Sequence, residues 1–395
     1  MIKKIFFAIK PAIFLASFMV FNPHSGHGQY SSQTEVSVLT CSPGPYLYAS
    51  FGHTAVRVMD PESGYDVVYN FGTFDFDTPN FYVKFARGRL NYALSKEYFK
   101  NFQRKYKRNR IIVYQQVLSL DSLEKVNFVN ALEENYKPKN RYYKYDFFRD
   151  NCTSRVRDLL FDKSNSDLFY QSTDTSYRQA IDPYLARSPW TDFGIDLLLG
   201  LPSDKVMDYY EAMFLPYNLM EMIDELSESN LPLIKRKEIV VDVEPVVYEP
   251  PFFKPWMGTS ILFLIVLGFS WKEIKNEYKR VIMDKIIFGF TGFLGLFMLL
   301  MWFATDHYAT QANLNILWAL PNHLVLPFVL SKEKKWFISA HYAFTLMLLI
   351  IVLLFWNVIP QGFHPAAIPL ILILLLRVLI YLKTYSRKII AVRRS

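Results

Sequence analysis

The stretch YDFFRDNCTSRVRD, residues 145–158, decides the fold of the first half of this chain, because it places a cysteine where a helix begins. Asp150 or Asn151 can cap that helix, and aliphatic residues recur along one of its sides at intervals of three and four. Cys152 therefore falls in the first turn, where the partial positive charge of the helix favours a thiolate over a thiol. The alternative is that Cys152 is a small buried core residue, and spacing alone leaves both interpretations open.

The stretch FGHTAVRV, residues 51–58, supplies a base for such a thiol. Its alternation predicts a strand with Thr54 on one face and His53 on the other. A nucleophilic cysteine needs a base, and His53 is the one histidine between residue 28 and the second half of the chain, since His24 and His27 belong to the N-terminal region. An imidazole partner for Cys152 within the same domain must therefore be His53.

The next predicted strand contains VVYNFG, residues 67–72, and offers a group to orient the imidazole. We expect Asn70 to take this role, with Asp75 and Asp77 behind it, although asparagine close to glycine is also common in turns. One histidine and one cysteine do not make a metal site, so no metal is expected. The other expected elements are strands at 35–40, 54–59, 66–71 and 111–118 and helices at 119–135 and 151–161.

The composition excludes several classes of protein. Of the 395 residues, 51% are hydrophobic and 17% are aromatic, too many to remain solvated in a disordered chain. The formal net charge of +8 is divided unevenly, since 29 Lys+Arg and 31 Asp+Glu precede Phe252, whereas 15 and 5 lie from there onward. The first half has no basic excess, which argues against a nucleic-acid-binding domain. Two cysteines are too few for a disulfide scaffold, and a single bridge is not indicated.

The second half contains five apolar stretches, each about long enough to cross roughly 30 Å of hydrocarbon as a helix. They cover residues 255–271, 286–304, 314–330, 336–359 and 365–382. The third is interrupted by Pro321 and Pro327, and the fifth carries Arg377, which we expect to snorkel to the membrane surface. Lys and Arg occupy the first and third connections and the tail, whereas the second and fourth connections have none. Because positively charged loops stay in the cytoplasm, the first half is predicted to lie outside.

The N-terminus agrees with export of the first half. Residues 1–28 are typical of a signal peptide, with an uncleaved anchor as the alternative. The predicted organisation is then an exported α+β domain over 29–230, a Pro-rich linker over 231–254 and an all-α five-helix transmembrane domain with a basic tail over 255–395. In a double-membrane bacterium the exported domain would lie in the periplasm, at the inner membrane.

Further polar residues are candidates for substrate binding. Arg57 and Arg155 could grip a lipid phosphate, or each could form a structural ion pair. Polar residues at the predicted outer ends of the spans tend to be functional, and a hydrogen-bonded packing network is the alternative. The candidates there are His307, Gln311, Asn313, His323 and His364.

Three of these stretches, FGHTAVRV, YNFGTFDF and YDFFRDNCTSRVRD, resemble the exported domain of the Lnb-type bacterial lipoprotein N-acyltransferases. The resemblance extends through WTDFGIDLLLGLPSD, residues 190–204, into HYATQANLNILWALPNHL, residues 307–324, and so covers nearly the whole chain after the signal region. It implies a circularly permuted papain-like or NlpC-like thiol fold, in which the histidine strand precedes the cysteine helix. His53 and Cys152 occur in that order.

The resemblance also implies an activity. An acyl chain would move from a membrane phospholipid to Cys152 as a thioester, and then to the free α-amino group of an S-diacylglyceryl-cysteine lipoprotein. His53 would act as general base and then as general acid. No metal or soluble cofactor is implied.

Two other functions remain open. A membrane-tethered peptidase or amidase would use the same Cys–His pair and pass the acyl group to water, although five spans with polar outer ends favour transfer between lipids. A non-enzymatic envelope sensor or assembly factor would bind lipid or peptide in the same fold and would not need the thiol of Cys152.

Overall fold

The computed structural model describes two compact units. The described residues are 31–229, 232–246, 249–276, 281–330 and 335–394. Of these described residues, the first unit contains those up to 184 and those between 206 and 246, and the second contains 185–205 and those from 249 onward. The predicted signal peptide, residues 1–28, lies outside the described residues.

The first unit is built on a seven-stranded antiparallel sheet. The strands of the chain are β1 (Glu35–Cys41), β2 (His53–Asp60), β3 (Tyr65–Thr73), β4 (Asn91–Tyr98), β5 (Val113–Leu118), β6 (Tyr142–Lys144), β7 (Ser172–Ser176), β8 (Val206–Asp208) and β9 (Ile234–Val241). The order in the large sheet is β6-β4-β3-β2-β1-β5-β9, and β7 and β8 form a separate pair. The four strands expected from the sequence are confirmed as β1, β2, β3 and β5.

Helices cover both faces of this sheet. Up to residue 228 the helices of the chain are α1 (Phe81–Ala86), α2 (Phe99–Arg108), α3 (Ser122–Tyr136), α4 (Cys152–Leu160), α5 (Tyr177–Leu185), α6 (Pro189–Leu198), α7 (Tyr209–Ala212) and α8 (Pro216–Glu228), and of these α6 belongs to the second unit. Alternate residues of β3 point to opposite cores: Val67 and Tyr69 pack with α3, α4 and α8, whereas Val68 packs with α2. Burial of these two apolar layers is the main force that fixes β2, β3 and α4 against one another.

The Pro-rich linker expected over 231–254 is wrong in part. Residues 234–241 form β9, which extends the sheet by pairing with β5 from Leu118↔Ile234 to Val113↔Val241. Pro232 and Pro245 lie on either side of the strand and so remove no hydrogen-bond donor from the ladder. The β-branched residues between them pair with an edge that would otherwise be open.

The second unit is helical. Its remaining helices are α9 (Pro255–Asn276), α10 (Val281–Phe303), α11 (Leu326–Val329), α12 (Lys335–Leu354) and α13 (Ala367–Arg394). Among the described residues, α9, α10 and α12 are long and apolar enough to cross a membrane. Residues 185–205, which include α6, belong to this unit and not to the first one. The predicted domain boundaries placed residues 185–205 in the exported domain, over 29–230, instead.

The continuous helix expected over 314–330 is wrong. This segment consists of two 3₁₀ helices, Leu314–Leu317 and Pro321–Val325, followed by the four-residue α11. Pro321 and Pro327 have no backbone N–H to donate, and their rings disfavour a continuous helix. The broken segment still runs antiparallel to α10, because Ala319 lies against Gly295 and Pro327 against Gly289.

Arg377 does not snorkel as expected. Its side chain is fully buried between α9, α10 and α13, where it donates to Asp284 Oδ1 at 2.6 Å and to Ser270 Oγ at 2.8 Å. It also pairs with Glu273. A buried guanidinium is tolerated here because two carboxylates are within reach, and these partners were too far away in sequence to be recognised.

The close approach at Gly295 gives a test of the second unit. A methyl group there would come within 1.8 Å of the Ala319 carbonyl oxygen, which is backbone and cannot simply rotate away. We expect Gly295→Ala to destabilise the protein in detergent by about 1–3 kcal/mol or more, measured as a lowered thermal midpoint. Gly268→Ala on α9 is the matched control, because nothing lies within 4 Å of its added methyl. Equal stability of the two variants would contradict this packing.

Candidate active site

The N-terminus of α4 is held by a complete capping box. Asn151 Oδ1 accepts from the backbone N–H groups of Thr153 and Ser154, each at 2.8 Å, and Ser154 Oγ accepts from the Asn151 N–H at 2.8 Å. Cys152 is therefore the first residue of the helix and is 9% exposed. Of the two caps that the sequence allowed, Asn151 takes the position. Asp150 instead pairs with Arg155.

A buried hydroxyl pair ties this helix to the histidine strand. Thr54 Oγ1 and Thr153 Oγ1 are 3.0 Å apart, and each threonine directly follows one of the two candidate residues. Cys152 Sγ lies 3.8 Å from Thr153 Oγ1. The backbone N–H of Thr54 also donates to the cysteine sulfur. These contacts bring His53 and Cys152 together although 98 residues separate them in sequence.

Two glycines shape the backbone beside the thiol. Gly52, with φ of +80°, immediately precedes His53, and a side chain there would come within 2.6 Å of the Cys41 carbonyl oxygen. Gly72, with φ of +84°, lies in an irregularity of β3, and a Cβ there would contact the Cβ of Cys152 at 3.5 Å. Both positions adopt left-handed backbone that favours glycine. Gly72 lets β3 approach Cys152 closely, and Gly52 lets the chain enter β2 beside the Cys41 carbonyl.

Asn70 lies where an orienting group is needed. Its Oδ1 is 3.2 Å from His53 Nε2, so the other ring nitrogen, Nδ1, remains for Cys152. Asn70 is 5% exposed, and it lies on β3, beside the strand that carries His53. The three residues that the sequence selected for a thiol site, His53, Asn70 and Cys152, are thus neighbours in space. Asp75 and Asp77, the other choices, lie beyond the end of β3 and are exposed.

The His53–Cys152 pair favours charge separation. Burial disfavours the charged form of each group. For His53 the negative charge and hydrogen bond of Cys152, with the Asn70 hydrogen bond, outweigh burial and raise its pKa. For Cys152 the charge and hydrogen bond of His53 and the donors Thr54 N–H and Thr153 Oγ1–H outweigh burial and lower its pKa. The site therefore supports a thiolate beside an imidazolium, which is the form of a cysteine that attacks carbonyl carbon.

Cys41 provides the contrast within the same chain. It is opposite His53 in the β1–β2 register and is 1% exposed. Burial raises the pKa of its thiol well above the ordinary value, and a hydrogen bond with Tyr106 offsets only part of this effect. Neither cysteine forms a disulfide. Cys41 is thus a packing residue with a raised pKa, whereas the surroundings of Cys152 lower the pKa of its thiol.

Sequence reasoning missed Glu97 on β4. Its Oε1 accepts from Asn70 Nδ2 at 3.2 Å and from Lys105 Nζ of α2 at 2.8 Å. In the register, Glu97 is opposite Val68, so it is a diagonal neighbour of Asn70 across the β3–β4 pair. No local pattern in the sequence points to this contact, because it depends on which strand lies beside β3.

The two arginines proposed for lipid phosphate are already engaged. Arg57 donates to both Asp66 oxygens at 2.7 and 2.9 Å and to Gln115 at 2.9 Å, and its guanidinium lies 3.5 Å from the centre of the Phe99 ring. Arg155 forms a bidentate pair with Asp150 and lies over a tyrosine ring. These contacts favour the structural alternative for both residues. Arg155 also lines a pocket of about 370 Å³, together with Asp150 and Asp158.

In the second unit, Asn313 belongs to a packing network. Its Nδ2 donates to the Leu197 carbonyl of α6 at 2.8 Å, and its Oδ1 accepts from Asn315 N at 2.9 Å and from Gln361 Nε2 at 3.3 Å. Gln311 takes part in this packing through its backbone, because its carbonyl oxygen lies against Gly200. For these residues the contacts favour the packing alternative over substrate binding.

The three histidines of the second unit that were candidates for substrate binding lie in different places. His323 is fully buried between Thr291 and Thr345, with its ring nitrogens 3.3 and 3.4 Å from their hydroxyl oxygens. The carbonyl of His307 accepts from Thr310 Oγ1 at 3.0 Å. His364 Nε2 is 3.7 Å from Asp192 Oδ2.

One group of side chains in the described residues has the geometry to hold a metal ion. The ligand atoms of Asp192, Asp196 and His364 lie within 4.8 Å of one another, all in the second unit. The group includes neither Cys152 nor His53. A cysteine nucleophile is activated by its imidazole partner, so a thiol site of this kind works without a metal ion.

Comparison with protein families gives two matches. A family model described as the Lnb N-terminal periplasmic domain matches residues 23–183. Another, described as the Lnb transmembrane domain, matches residues 248–388. No curated protein and no solved structure gives a significant match. The two matches cover most of the chain and show a membrane protein with a periplasmic domain.

The contrast between the two thiols predicts selective alkylation. Iodoacetamide should modify Cys152 in the folded protein and leave Cys41 unmodified, as read by peptide mass spectrometry. Because the pKa of Cys152 is lowered, its alkylation should persist below pH ~8.5, the ordinary value for a thiol. In His53→Ala burial is no longer offset by the imidazolium, so the midpoint should rise to about 8.5 or above. Unfolded protein, labelled at both residues, is the control, and faster labelling of Cys41 in the folded state would overturn the assignment.

Proposed function

We propose that this chain, which belongs to the Lnb family, is a thiol acyltransferase that N-acylates lipoproteins. The donor is a membrane phospholipid and the acceptor is the α-amino group of an S-diacylglyceryl-cysteine. The observation that carries the proposal is the meeting of His53, Asn70 and a Cys152 thiol with a lowered pKa. Family membership supports the proposed class of substrate, and the geometry of the site supports the proposed chemistry.

In the first half-reaction, the Cys152 thiolate attacks the ester carbonyl of the phospholipid. The carbon–oxygen bond of the ester breaks, the imidazolium of His53 gives its proton to the departing lyso-lipid alkoxide, and a thioester remains on the sulfur. Asn70 accepts from His53 Nε2–H throughout, so that Nδ1 faces the reacting atoms. Asn70 positions the ring and exchanges no proton itself.

In the second half-reaction, the free α-amine of the lipoprotein attacks the thioester. Neutral His53 takes the proton that the nitrogen loses, an amide forms, and the carbon–sulfur bond breaks to restore the thiolate and imidazolium. The amine must arrive uncharged to be a nucleophile, so the rate should increase with pH towards the α-amino pKa of about 8. No external oxidant, metal or nucleotide enters the balance of either step.

We further propose that the periplasmic domain has the permuted papain-like arrangement. In support, β2, which carries His53, precedes α4, which begins at Cys152, and α4 packs against an antiparallel sheet through Val156 and Leu160. The imidazole-orienting asparagine lies on the adjacent strand. The order along the chain is therefore histidine, asparagine and then cysteine.

Five membrane crossings are proposed for the second unit. The broken segment 314–329 would be the third crossing, since it runs antiparallel to α10. The two connections predicted to lie outside meet each other: Gln361 Oε1 accepts from Leu314 N at 2.7 Å, and its Nε2 donates to Asn313. With basic residues on the remaining connections, this arrangement suits the bacterial inner membrane.

The decisive experiment uses a strain that lacks its own lipoprotein N-acyltransferase. Expression of this chain should add a third acyl group to the N-terminal cysteine of lipoproteins, measured by mass spectrometry. Cys152→Ser should reduce the product by roughly a thousandfold or more, whereas Cys41→Ser should retain it, because the Cys41 thiol is packed in the core and takes no part in the proposed reaction. Accumulation of a lyso-phospholipid should accompany the product.

Other outcomes of the same experiment would support the competing functions. Free amines on lipoproteins, with folded protein present, would exclude N-acylation. Cleavage of cell-wall peptide that depends on Cys152 would then indicate a peptidase or amidase. Full biological function of Cys152→Ser would indicate a protein that binds without nucleophilic catalysis.

A further inference from the structure

We propose that Glu97 is a positioning residue, which sets the orientation of the Asn70 amide and, through it, the hydrogen bonding of His53. This inference rests on the proposed thiol chemistry and adds to it a group outside the Cys152–His53–Asn70 set. Glu97 Oε1 is 3.2 Å from Asn70 Nδ2, and Asn70 Oδ1 is 3.2 Å from His53 Nε2. Glu97 thus contacts the imidazole only through Asn70.

The argument begins with the two ends of an amide. Asparagine can present either its oxygen, which accepts, or its NH₂, which donates, whereas an ionised carboxylate only accepts. A carboxylate on one side of Asn70 therefore requires the NH₂ group to face Glu97. The oxygen must then face His53, and it can accept the Nε2–H of an imidazolium.

Reversal of the amide would oppose the charge separation at the thiol. The NH₂ group of Asn70 would face the Nε2–H of His53, donor against donor, so an imidazolium would lose a hydrogen bond and gain a repulsion. A neutral ring could accept through Nε2 only with its proton on Nδ1, the nitrogen that must take a proton from Cys152. Asn70 is 5% exposed, so the hydrogen bonds of its amide depend on its protein neighbours. The Glu97 carboxylate therefore selects the amide orientation in which the oxygen faces His53.

Lys105 completes the arrangement from the helix side. Its Nζ is 2.8 Å from the same Oε1 atom that accepts from Asn70, and the two side chains are 44% and 26% exposed. The ammonium group holds the Glu97 carboxylate in place between α2 and β4. Because Lys105 is partly exposed, solvent screens its contribution. We therefore expect its removal to have a smaller effect than removal of Glu97.

The competing explanation is that Glu97 and Lys105 form a structural ion pair and nothing more. A structural pair would affect the amount of folded protein and its thermal midpoint. It would leave the pH dependence of Cys152 unchanged in the protein that does fold. The reactivity of the thiol as a function of pH therefore separates the two explanations.

The experiment measures iodoacetamide alkylation of Cys152 in the full-length protein in detergent, across pH. Glu97→Ala should raise the midpoint by about one pH unit, which is about tenfold slower labelling below the midpoint. Glu97→Gln should raise it less, because its amide oxygen can still accept from Asn70. Glu133→Gln is the matched control: it also removes a carboxylate that pairs with a β4 lysine, Lys96, but it does not touch Asn70.

If Glu97→Ala does not fold, a pair of compensating substitutions at Asn70 and Glu97 tests the same contact. Asn70→Asp alone places two carboxylates side by side and should impair the site. Asn70→Asp with Glu97→Gln restores one donor facing one acceptor, and the carboxylate introduced on β3 still accepts from His53. We expect the double variant to recover a low alkylation midpoint. A midpoint that moves in neither Glu97 variant, or a double variant no better than Asn70→Asp, would overturn the proposal.

These measurements are independent of the acyl-transfer assay. Alkylation reports the ionisation of Cys152 without any lipid substrate. If wild-type protein transfers no acyl group while the Glu97 variants shift the alkylation midpoint, the proposed function fails and the positioning role stands. If acyl transfer is found and no midpoint shifts, the positioning role alone fails.

Discussion

The close approach of Cys152 and His53 is the constraint around which the polar groups of the first unit's candidate site are arranged. Separated charges in an apolar site are costly unless each is hydrogen-bonded. The sulfur receives Thr54 N–H and lies beside Thr153 Oγ1, and the imidazole is held by Asn70. Each of these groups comes from an element whose position is fixed by packing elsewhere. The seven-stranded sheet and α4 can therefore be understood as a support that brings compensating donors and acceptors to one place.

The residues with strong local signals were predictable from the sequence. The helix that begins at Cys152 follows from a capping residue and apolar spacing, and His53 follows from its being the one available imidazole. Asn70 needed only the assumption that the next strand pairs with the histidine strand, which is usual for short connections. All three inferences use residues close in sequence or a choice among very few candidates.

Contacts that depend on distant pairing could not be predicted in this way. Glu97 reaches Asn70 because β4 lies next to β3, and β9 joins the sheet because the edge of β5 is open. Residues 185–205 join the second unit through contacts such as Gly200 N–H to the Ala309 carbonyl, at 2.8 Å. In each case the partner is chosen by the three-dimensional arrangement, and the sequence near the residue carries no record of it. Pro321 and Pro327 were visible, but their consequence for the helix required knowing whether α10 could accommodate the break.

Both units place charged groups in an apolar interior, and each unit stabilises them with different partners. In the second unit Arg377 is surrounded by Glu273, Asp284 and Ser270, so a charge in an apolar bundle is satisfied by fixed partners on neighbouring helices. These partners keep the Arg377 guanidinium charged and fixed in position, which suits a residue that holds helices together. At Cys152 the compensation is divided among a backbone N–H, a hydroxyl and an imidazole, none of which carries a permanent charge. In the proposed reaction the charge pair would therefore be formed and neutralised within one cycle, and it is the kind of partner, rather than burial as such, that would allow this at Cys152 and not at Arg377.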